Sequence, residues 1–272
     1  MVNSQSKKSL AILSNTLMVK LKSSEEIKIM QAGGEILAQV LRDLAEVTKP
    51  GITTNALDRL ARELIAKHPG ATPSFLGYTP GGARGNKFPA ALCVSVNDEI
   101  IHGLPSERVV KNGDLVSLDL GVYYQGYHTD SALTVAVGQV NQSAQKLLEV
   151  TRESLAIGIV EAVPGKTLGD IGHAIQNYVE EFGFSVIKDF AGHGIGKGIH
   201  EPPTVLNFGR PGEGEILKPG MVIAIEPMVV AGKITTMQKA DGWTYATTDG
   251  SLAAHFEHTV AVIESGALIL TE

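Results

Sequence analysis

The sequence predicts an α+β fold made of two related halves whose sheets join. The first observation is a repeated helix start: Pro50-Gly51-x-Thr53 recurs as Pro164-Gly165-x-Thr167, and each copy precedes an amphipathic helix. The second is a repeated strand start: Lys111-x-Gly113 recurs as Lys218-x-Gly220, and each is followed by a buried-strand pattern that ends in a carboxylate. Because helix and strand signals recur in the same order, we infer that an acid from each half faces one cleft.

Each half is expected to open with two helices. Ser23-x-x-Glu26 is a capping box that starts the first helix, and Thr53 or Thr54 caps the second. In the second half, residues 143–160 show a helical pattern, and Thr167-x-x-Asp170 opens another helix. Pro-Gly pairs that follow the first three of these helices mark their expected ends.

The strand signals follow the first helix pair. Residues 77–85 are glycine-rich and predict a loop, and residues 91–96 then have the pattern of a buried strand. In residues 116–121 apolar side chains alternate with small or acidic ones, which predicts a strand with one buried face. Residues 123–126 are expected to form a four-residue hairpin loop before the partner strand.

Two aspartates of this hairpin are the first candidate site residues. With a four-residue loop, Asp119 and Asp130 stand directly opposite each other on neighbouring strands. Cβ atoms across such a pair lie about 4.5–5.5 Å apart, and two carboxylates that close repel unless a proton or a cation bridges them. The alternative is a solvated pair on the open face of an edge hairpin, and only further ligands decide between the two.

Further candidates lie in the second half. His193 and His200 stand in a glycine- and proline-rich segment whose spacing matches neither a Walker loop nor a dinucleotide loop. Glu226 ends an apolar strand and Glu257 lies in another apolar segment, where a carboxylate is costly unless it is paired or bound to metal. These strands contain no lysine or arginine that could balance the charge.

The candidate donors together form a set of four carboxylates and one imidazole: Asp119, Asp130, His193, Glu226 and Glu257. So much negative charge suits two divalent ions with bridging carboxylates better than one ion. Oxygen-rich ligands favour Mn, Fe or Co over a structural zinc site, although ligand type alone does not choose the metal. Two such ions activate a water and polarise a carbonyl oxygen, so the chemistry indicated is hydrolysis.

Five motifs resemble those of the type I methionine aminopeptidases: NDEIIHGLPS, SLDLGVYYQGYHTDSALTV, GHGIGKGIHEPPTV, AIEPM and HFEHTVAV. The resemblance extends from about Val19 onward. It implies the pita-bread fold, in which two pseudo-symmetric halves each have a helix pair packed on a curved antiparallel sheet. It also implies a single catalytic domain over residues 23–272, preceded by an N-terminal extension of residues 1–22.

The same resemblance implies roles for the site residues. The five donors would bind two divalent ions, of Co, Mn, Fe or Zn, with Asp130 and Glu257 bridging. Hydroxide held between the metals would attack the first peptide carbonyl. Glu226 would shuttle the proton and His200 would stabilise the oxyanion, while His102 would contact the scissile nitrogen or the intermediate. The product would be the initiator methionine, released from nascent polypeptides whose second residue is small.

A pocket for the methionine side chain is implied as well. Its substrate-binding residues would be the two catalytic histidines, one cysteine and three aromatic residues: His102, His200, Cys93, Trp243, Phe88 and Tyr78. Aromatic edges and sulfur pack well on a thioether. In the alternative interpretation, Phe88 and Trp243 belong to the core. Ile199 stands where close relatives commonly carry an aromatic residue.

Composition restricts the partners. The chain has 272 residues and a net charge of −6, so it offers no broad basic field to nucleic acid or an anionic membrane. It has no apolar run near the length of about 20 residues that spans a bilayer, and the single cysteine excludes an internal disulfide. We expect a cytoplasmic monomer that acts on nascent polypeptides. Ribosome association and an organellar targeting role for residues 1–22 stay open.

Two rival interpretations use the same fold. An Xaa-Pro aminopeptidase or prolidase would have the same five ligands together with a further N-terminal domain, whereas here only a short tail is expected before the fold. A non-catalytic binding protein would lose ligands or gain basic segments, and this sequence does neither. The 31-residue spacing from Glu226 to Glu257 leaves no room for the helical insertion of the type II enzymes.

Overall fold

A computed structural model describes residues 19–79 and 86–272 of the chain. These residues contain four helices: α1 (Ser24–Val47), α2 (Thr54–Ala66), α3 (Gln142–Glu161) and α4 (Leu168–Glu181). Both predicted capping boxes are present, at Ser23 before α1 and at Thr167 before α4, and Thr53 rather than Thr54 caps α2. The helix pair of each half therefore begins where the sequence predicts.

The described residues also contain fifteen strands, most of them short. The strands of the first half are β1 (Ala71–Pro73), β2 (Leu92–Val96), β3 (Glu99–Ile101), β4 (Leu115–Tyr124) and β5 (Tyr127–Ala136). Those of the second half are β6 (Ser185–Val186), β7 (Gly192–Gly194), β8 (Glu201–Val205), β9 (Val222–Ile225), β10 (Met228–Val230), β11 (Thr236–Gln238), β12 (Tyr245–Thr247), β13 (Ala253–His255), β14 (Glu257–Ile263) and β15 (Gly266–Ile269).

One antiparallel sheet of nine strands runs through both halves. Its main order is β1-β4-β5-β14-β9-β7-β8, and β2 pairs with β4 while β15 pairs with β14. The halves join where β5 pairs with β14, with Ala132 opposite Glu257. Two three-stranded sheets, β13-β10-β6 and β11-β12-β3, complete the strand pairing. The seam between the halves thus lies in the middle of the main sheet.

Each helix pair packs on the strands of its own half. The first apolar cluster joins α1 and α2 to β2 and β4, and its fully buried side chains include Leu37, Leu44, Leu57, Val94 and Leu118. The second joins α3 and α4 to β9 and β14, with Leu147, Ile171, Ile175, Ile223 and Val260. Burial of one such side chain stabilises the fold by about 1.5–3 kcal/mol relative to exposure.

Backbone hydrogen bonds show the predicted repeat directly. In the first half the N–H of Gly51 donates to the carbonyl of Val110 over 2.9 Å. In the second half the N–H of Gly165 donates to the carbonyl of Leu217 over 3.0 Å. Each Pro-Gly-x-Thr motif therefore ties its helix pair to the segment that leads into an acid-bearing strand.

The β4–β5 hairpin has a tighter turn than predicted. Tyr124 pairs with Tyr127, so the loop consists only of Gln125 and Gly126. Their φ angles are 47° and 95°, as a type I′ turn requires. The predicted four-residue loop over residues 123–126 is therefore wrong, because Gln125 adopts a left-handed conformation that its residue type does not signal.

The shorter loop changes how the two aspartates face each other. Asp119 pairs with Ala132, and Asp130 pairs with Gly121. The aspartates are diagonal neighbours, so the prediction that they stand directly opposite is wrong. A shift of two residues keeps every side chain on its face. Both carboxylates therefore still lie on the same side of the sheet.

The strand β4 is buried on both faces, not on one as predicted. Every residue from Leu115 to Val122 is buried. The polar face is covered because the Ser117 hydroxyl lies 2.8 Å from that of Thr134, which in turn donates to the carbonyl of His255 over 2.8 Å. The strand β13 thus closes over the face that the sequence pattern left open.

The last residues of the predicted N-terminal extension lie against the fold. The backbone N–H of Lys22 donates to Gly220 over 2.7 Å, and its side chain is buried in an ion pair with Glu201. The rest of the predicted extension, residues 1–18, with its proposed targeting role, and part of the predicted loop, residues 80–85, lie outside the described residues. No helix in the described part of the chain is long and apolar enough to cross a membrane.

Candidate metal centre and substrate cavity

One cavity of about 310 Å³ collects side chains from both halves. All residues that the sequence analysis proposed for the site line it: Asp119, Asp130, His193, Glu226, Glu257, His102, His200, Cys93, Trp243, Phe88 and Tyr78. Sequence reasoning missed five further side chains in its wall, namely Phe75, Ile101, Phe190, Ala191 and Thr204. Phe190 could have been found, because it stands three residues before His193.

The five candidate donors come from five consecutive strands of the main sheet. In the order β4-β5-β14-β9-β7, each strand supplies one donor, within the strand or directly after it. They are, in that order, Asp119, Asp130, Glu257, Glu226 and His193. A sheet therefore brings together residues that are far apart in the chain.

Glycines allow the β7 donor to approach its neighbours. A Cβ atom on Gly192 would lie 2.2 Å from the carbonyl oxygen of Ala224, and one on Gly194 would lie 2.1 Å from that of Pro202. Both distances are far below van der Waals contact, so only glycine fits on either side of His193. This close approach is what the glycine-rich segment predicted.

The donor atoms form two overlapping groups. Ligand atoms of Asp119, Asp130 and Glu257 lie within 4.8 Å of one another, and so do those of His193, Glu226 and Glu257. His193 Nε2 is 3.7 Å from Glu226 Oε1 and 3.9 Å from Asp130 Oδ2. Two groups that share Glu257 are the arrangement expected of two ions bridged by a carboxylate.

The electrostatics of the cluster favour cations. Burial raises the pKa of Asp119 to about 7 and that of Glu226 to about 8. Burial, followed by repulsion from neighbouring carboxylates, also raises the pKa values of Asp130 and Glu257. Burial lowers the pKa of His193 to about 3, so its imidazole is neutral and able to ligate. Divalent ions would displace protons from these carboxylates.

Unpartnered oxygen atoms support the same conclusion. Within residues 19–79 and 86–272, Asp130 Oδ1 and Glu257 Oε1 are buried and have no hydrogen-bond partner. A buried carboxylate oxygen without a partner is costly. The donor types, their spacing and these open lone pairs therefore fit two divalent ions.

His102 has an unusual backbone conformation. Its φ of 57° lies in the left-handed region, which is strained for a non-glycine residue. The neighbouring Gly103 is held by hydrogen bonds to Val94 and to the hydroxyl of Ser95. Burial lowers the pKa of His102 to about 4, so the imidazole is neutral. With this backbone conformation, the neutral imidazole of His102 lines the cavity.

His200 contacts both a donor and the cavity wall. Its ring packs edge-on against that of His193 at 4.3 Å between centroids. Its Nδ1 lies 2.6 Å from the hydroxyl of Tyr78. A ring nitrogen of His200 and one ligand atom each of Asp130 and His193 also lie within 4.8 Å of one another.

The apolar end of the cavity has an aromatic and sulfur wall. The rings of Phe88 and Trp243 meet edge-on at 5.1 Å, and Phe88 and Cys93 are almost fully buried. Burial, together with the nearby Asp119 carboxylate, raises the pKa of the Cys93 thiol, which is therefore neutral. Ile199 is buried in the same apolar cluster but is not part of the cavity lining.

The sequence did not single out His255, a buried histidine next to the donors. His255 is 2% exposed, and its Nε2 lies 3.6 Å from Glu226 Oε2. The strand period could have shown it, because His255 stands two residues before Glu257. Neither ring nitrogen of His255 has a hydrogen-bond partner among the described residues, so its relation to Glu226 is one of proximity.

The chain is similar in sequence to known metallopeptidases. Residues 28–264 match the model of metallopeptidase family M24. The chain is 50% identical over 254 residues to a methionine aminopeptidase of Clostridium perfringens, a match that covers 93% of this chain and 99% of that protein.

Solved structures of related proteins share the fold of this chain. The crystal structure of a methionine aminopeptidase from Thermotoga maritima superposes with a TM-score of 0.89 at 44% identity, covering 94% of this chain and all of that one. A prolidase from Pyrococcus furiosus gives a TM-score of 0.73 at 24% identity and is matched over 65% of its length. The likeness to the prolidase is one of fold alone.

Proposed function

Because this chain belongs to metallopeptidase family M24 and, within it, to the type I methionine aminopeptidases, we propose that its cavity removes the initiator methionine from nascent polypeptides whose second residue is small. The fold is the pita-bread fold that the sequence predicts. The observation that carries the proposal is the set of five donors on five consecutive strands beside an aromatic pocket.

We assign the donors to two divalent ions. Asp119 would hold one ion, His193 and Glu226 the other, and Asp130 and Glu257 would bridge them. When bound, such ions supply an activated water and a polarised carbonyl. The sharing of Glu257 between the two donor groups supports this assignment.

The remaining steps belong to residues of the chain. Glu226 takes the proton of the attacking water and delivers it to the leaving amine. His200 donates a hydrogen bond to the oxygen that becomes negative, and the neutral His102 contacts the scissile nitrogen.

The apolar wall accounts for the choice of the first residue. We assign Phe88, Trp243, Cys93 and Tyr78 to the methionine side chain, since aromatic edges and sulfur suit a thioether. The fit of Phe88 against Trp243 supports a pocket rather than a loosely packed core.

We further propose a cytoplasmic monomer that acts on chains at the ribosome, with neither a nucleic-acid substrate nor a membrane partner. The net charge of −6 supports the absence of a polyanion site. We also propose that residues 23–272 form one catalytic domain. The continuity of the main sheet through both halves supports it.

The test is hydrolysis of Met-Ala-Ser, compared with Met-Pro-x and Xaa-Pro tripeptides, by metal-stripped protein titrated with Mn, Fe, Co and Zn. We expect metal-dependent release of methionine, with other first residues cleaved poorly. A requirement for proline in second position, whatever the first residue, would assign the prolidase activity instead. No release with any metal would indicate a binding protein.

A further inference from the structure

The hydroxyl of Tyr78 makes a short contact with the proposed oxyanion donor. It lies 2.6 Å from His200 Nδ1, and the two rings meet edge-on with 5.0 Å between centroids. Tyr78 and His200 are 122 residues apart in sequence. The contact joins the wall of the methionine pocket to the catalytic machinery.

The backbone on both sides of Tyr78 is held in place. The N–H of Tyr78 donates to Phe75 over 2.9 Å, and the N–H of Phe88 donates to Tyr78 over 2.8 Å. The N–H of Gly77 donates to the carbonyl of Phe88 over 2.9 Å. These backbone hydrogen bonds therefore fix the position from which the Tyr78 side chain reaches His200.

The direction of this hydrogen bond decides where the imidazole proton lies. Burial raises the pKa of Tyr78, so its phenol carries a proton near pH 7. A neutral imidazole has one N–H and one bare nitrogen, and the bare nitrogen is a better acceptor than a phenol oxygen. This difference favours donation from the phenol to Nδ1, which leaves the imidazole proton on Nε2.

We propose that Tyr78 is a positioning residue that fixes His200 in its Nε2–H tautomer. In this form Nε2 donates a hydrogen bond to the developing oxyanion. The catalytic part of this inference rests on the proposed function, whereas the tautomer itself does not.

The same bond separates His200 from the metal ligands. A ring nitrogen of His200 lies close enough to Asp130 and His193 to join their donor group. With Nδ1 accepting from Tyr78 and Nε2 protonated, neither nitrogen of His200 has a free lone pair for a metal ion. Tyr78 thus makes His200 a hydrogen-bond donor, while the adjacent His193 stays a candidate metal ligand.

Kinetics of Tyr78→Phe test the catalytic part, because this change removes only the hydroxyl and keeps the ring. We expect kcat to fall about ten- to hundredfold, with KM and metal content changed less than about twofold. Tyr123→Phe is the matched control, since the ring of Tyr123 lies 4.7 Å from that of His128 outside the cavity. Unchanged kcat in Tyr78→Phe would overturn the inference.

A double-mutant cycle then separates positioning from any independent role of the hydroxyl. In a His200→Ala background, Tyr78→Phe should cost less than about twofold in kcat, because there is no imidazole left to position. An equal loss in both backgrounds would show that Tyr78 does not act through His200.

Nitrogen-15 NMR of the metal-free protein tests the tautomer without any activity. The His200 ring should show a protonated Nε2 in the wild type and a mixture of tautomers in Tyr78→Phe. A protonated Nδ1 in the wild type would overturn the inference even if the enzyme releases methionine. If the wild type releases none, the proposed function fails, while the NMR result stands by itself.

Discussion

Glu226 meets two demands that are usually in conflict. As a ligand candidate it must be ionised, and as the proposed proton shuttle it must be able to hold a proton. Burial raises its pKa to about 8, which brings the protonated form within reach near neutral pH. The nearby His255 Nε2, 3.6 Å from Oε2, lies on the side of the carboxylate away from the cavity.

Glu226→Gln tests both demands. The amide keeps the shape but can neither ligate as an anion nor carry the proton, so we expect activity to fall by about 10²- to 10⁴-fold. The metal-free variant should unfold at the wild-type temperature near pH 7, where the wild-type Glu226 is already largely protonated. Thermal melts followed by circular dichroism check this point. Substantial remaining turnover in a folded variant would contradict the role assigned to Glu226.

Some contacts of individual residues were beyond sequence reasoning. The carboxylates on apolar strands could be found because a charge in such a pattern demands a partner. The contact between Tyr78 and His200 could not, because it depends on how two distant loops meet. His102 was recognised, but its left-handed φ of 57° is set by the hydrogen bonds of its neighbours and has no signature in residue type.

Residues 19–22 were predicted to belong to an extension, but they pack against the folded domain. Lys22 Nζ lies 2.9 Å from Glu201 Oε2, and the two side chains are only 6% and 10% exposed. Glu201 Oε1 also accepts from the N–H of Gly198 over 2.8 Å. The carboxylate thus connects the N-terminal segment to the loop that carries His200.

Lys22→Met should destabilise the protein by about 3–5 kcal/mol, because it leaves a buried carboxylate without its cation. The double variant Lys22→Met/Glu201→Gln should recover much of that loss, since no charge is then buried unpaired. Urea unfolding of the metal-free proteins measures both. Lys146→Met is a suitable control, because Lys146 pairs with Glu149 at the surface over 3.9 Å. A loss as small as that of the control would contradict the importance of the pair.

The elements show what local signals can and cannot specify. The helix starts were predicted because capping boxes are local, and both are observed. The hairpin turn was predicted too long, yet the aspartates kept their common face because the error was an even number of residues. The pairing of β3 with β12 joins distant parts of the chain, and no repeat or motif indicated it.

At the scale of the whole molecule, the carboxylate cluster links stability to pH. The raised pKa values mean that the folded metal-free protein holds protons that the unfolded chain has released. These groups therefore contribute stability below their unfolded pKa values and lose it as the pH rises through about 7 to 8. The histidines with lowered pKa values act in the opposite direction, but only below about pH 6.5.

Between pH 7 and pH 9 the metal-free protein should accordingly become less stable. A saturating divalent ion should remove most of this dependence, because it replaces the protons that hold the carboxylates together. Melting temperatures with and without Mn across this range provide the measurement. A metal-free protein that is equally stable at both ends of the range would contradict the shared burial of the four acids.

The seam between β5 and β14 has a mechanical consequence. The first half supplies only Asp119 and Asp130, and the second supplies His193, Glu226 and Glu257. Ions bound by both of these proposed ligand sets would link the two halves across the seam, because separation of the halves would break ligand bonds. By thermodynamic linkage, ions that bind only when the seam is closed would stabilise the closed seam. Removal of the ions with a chelator should therefore make the seam easier to open.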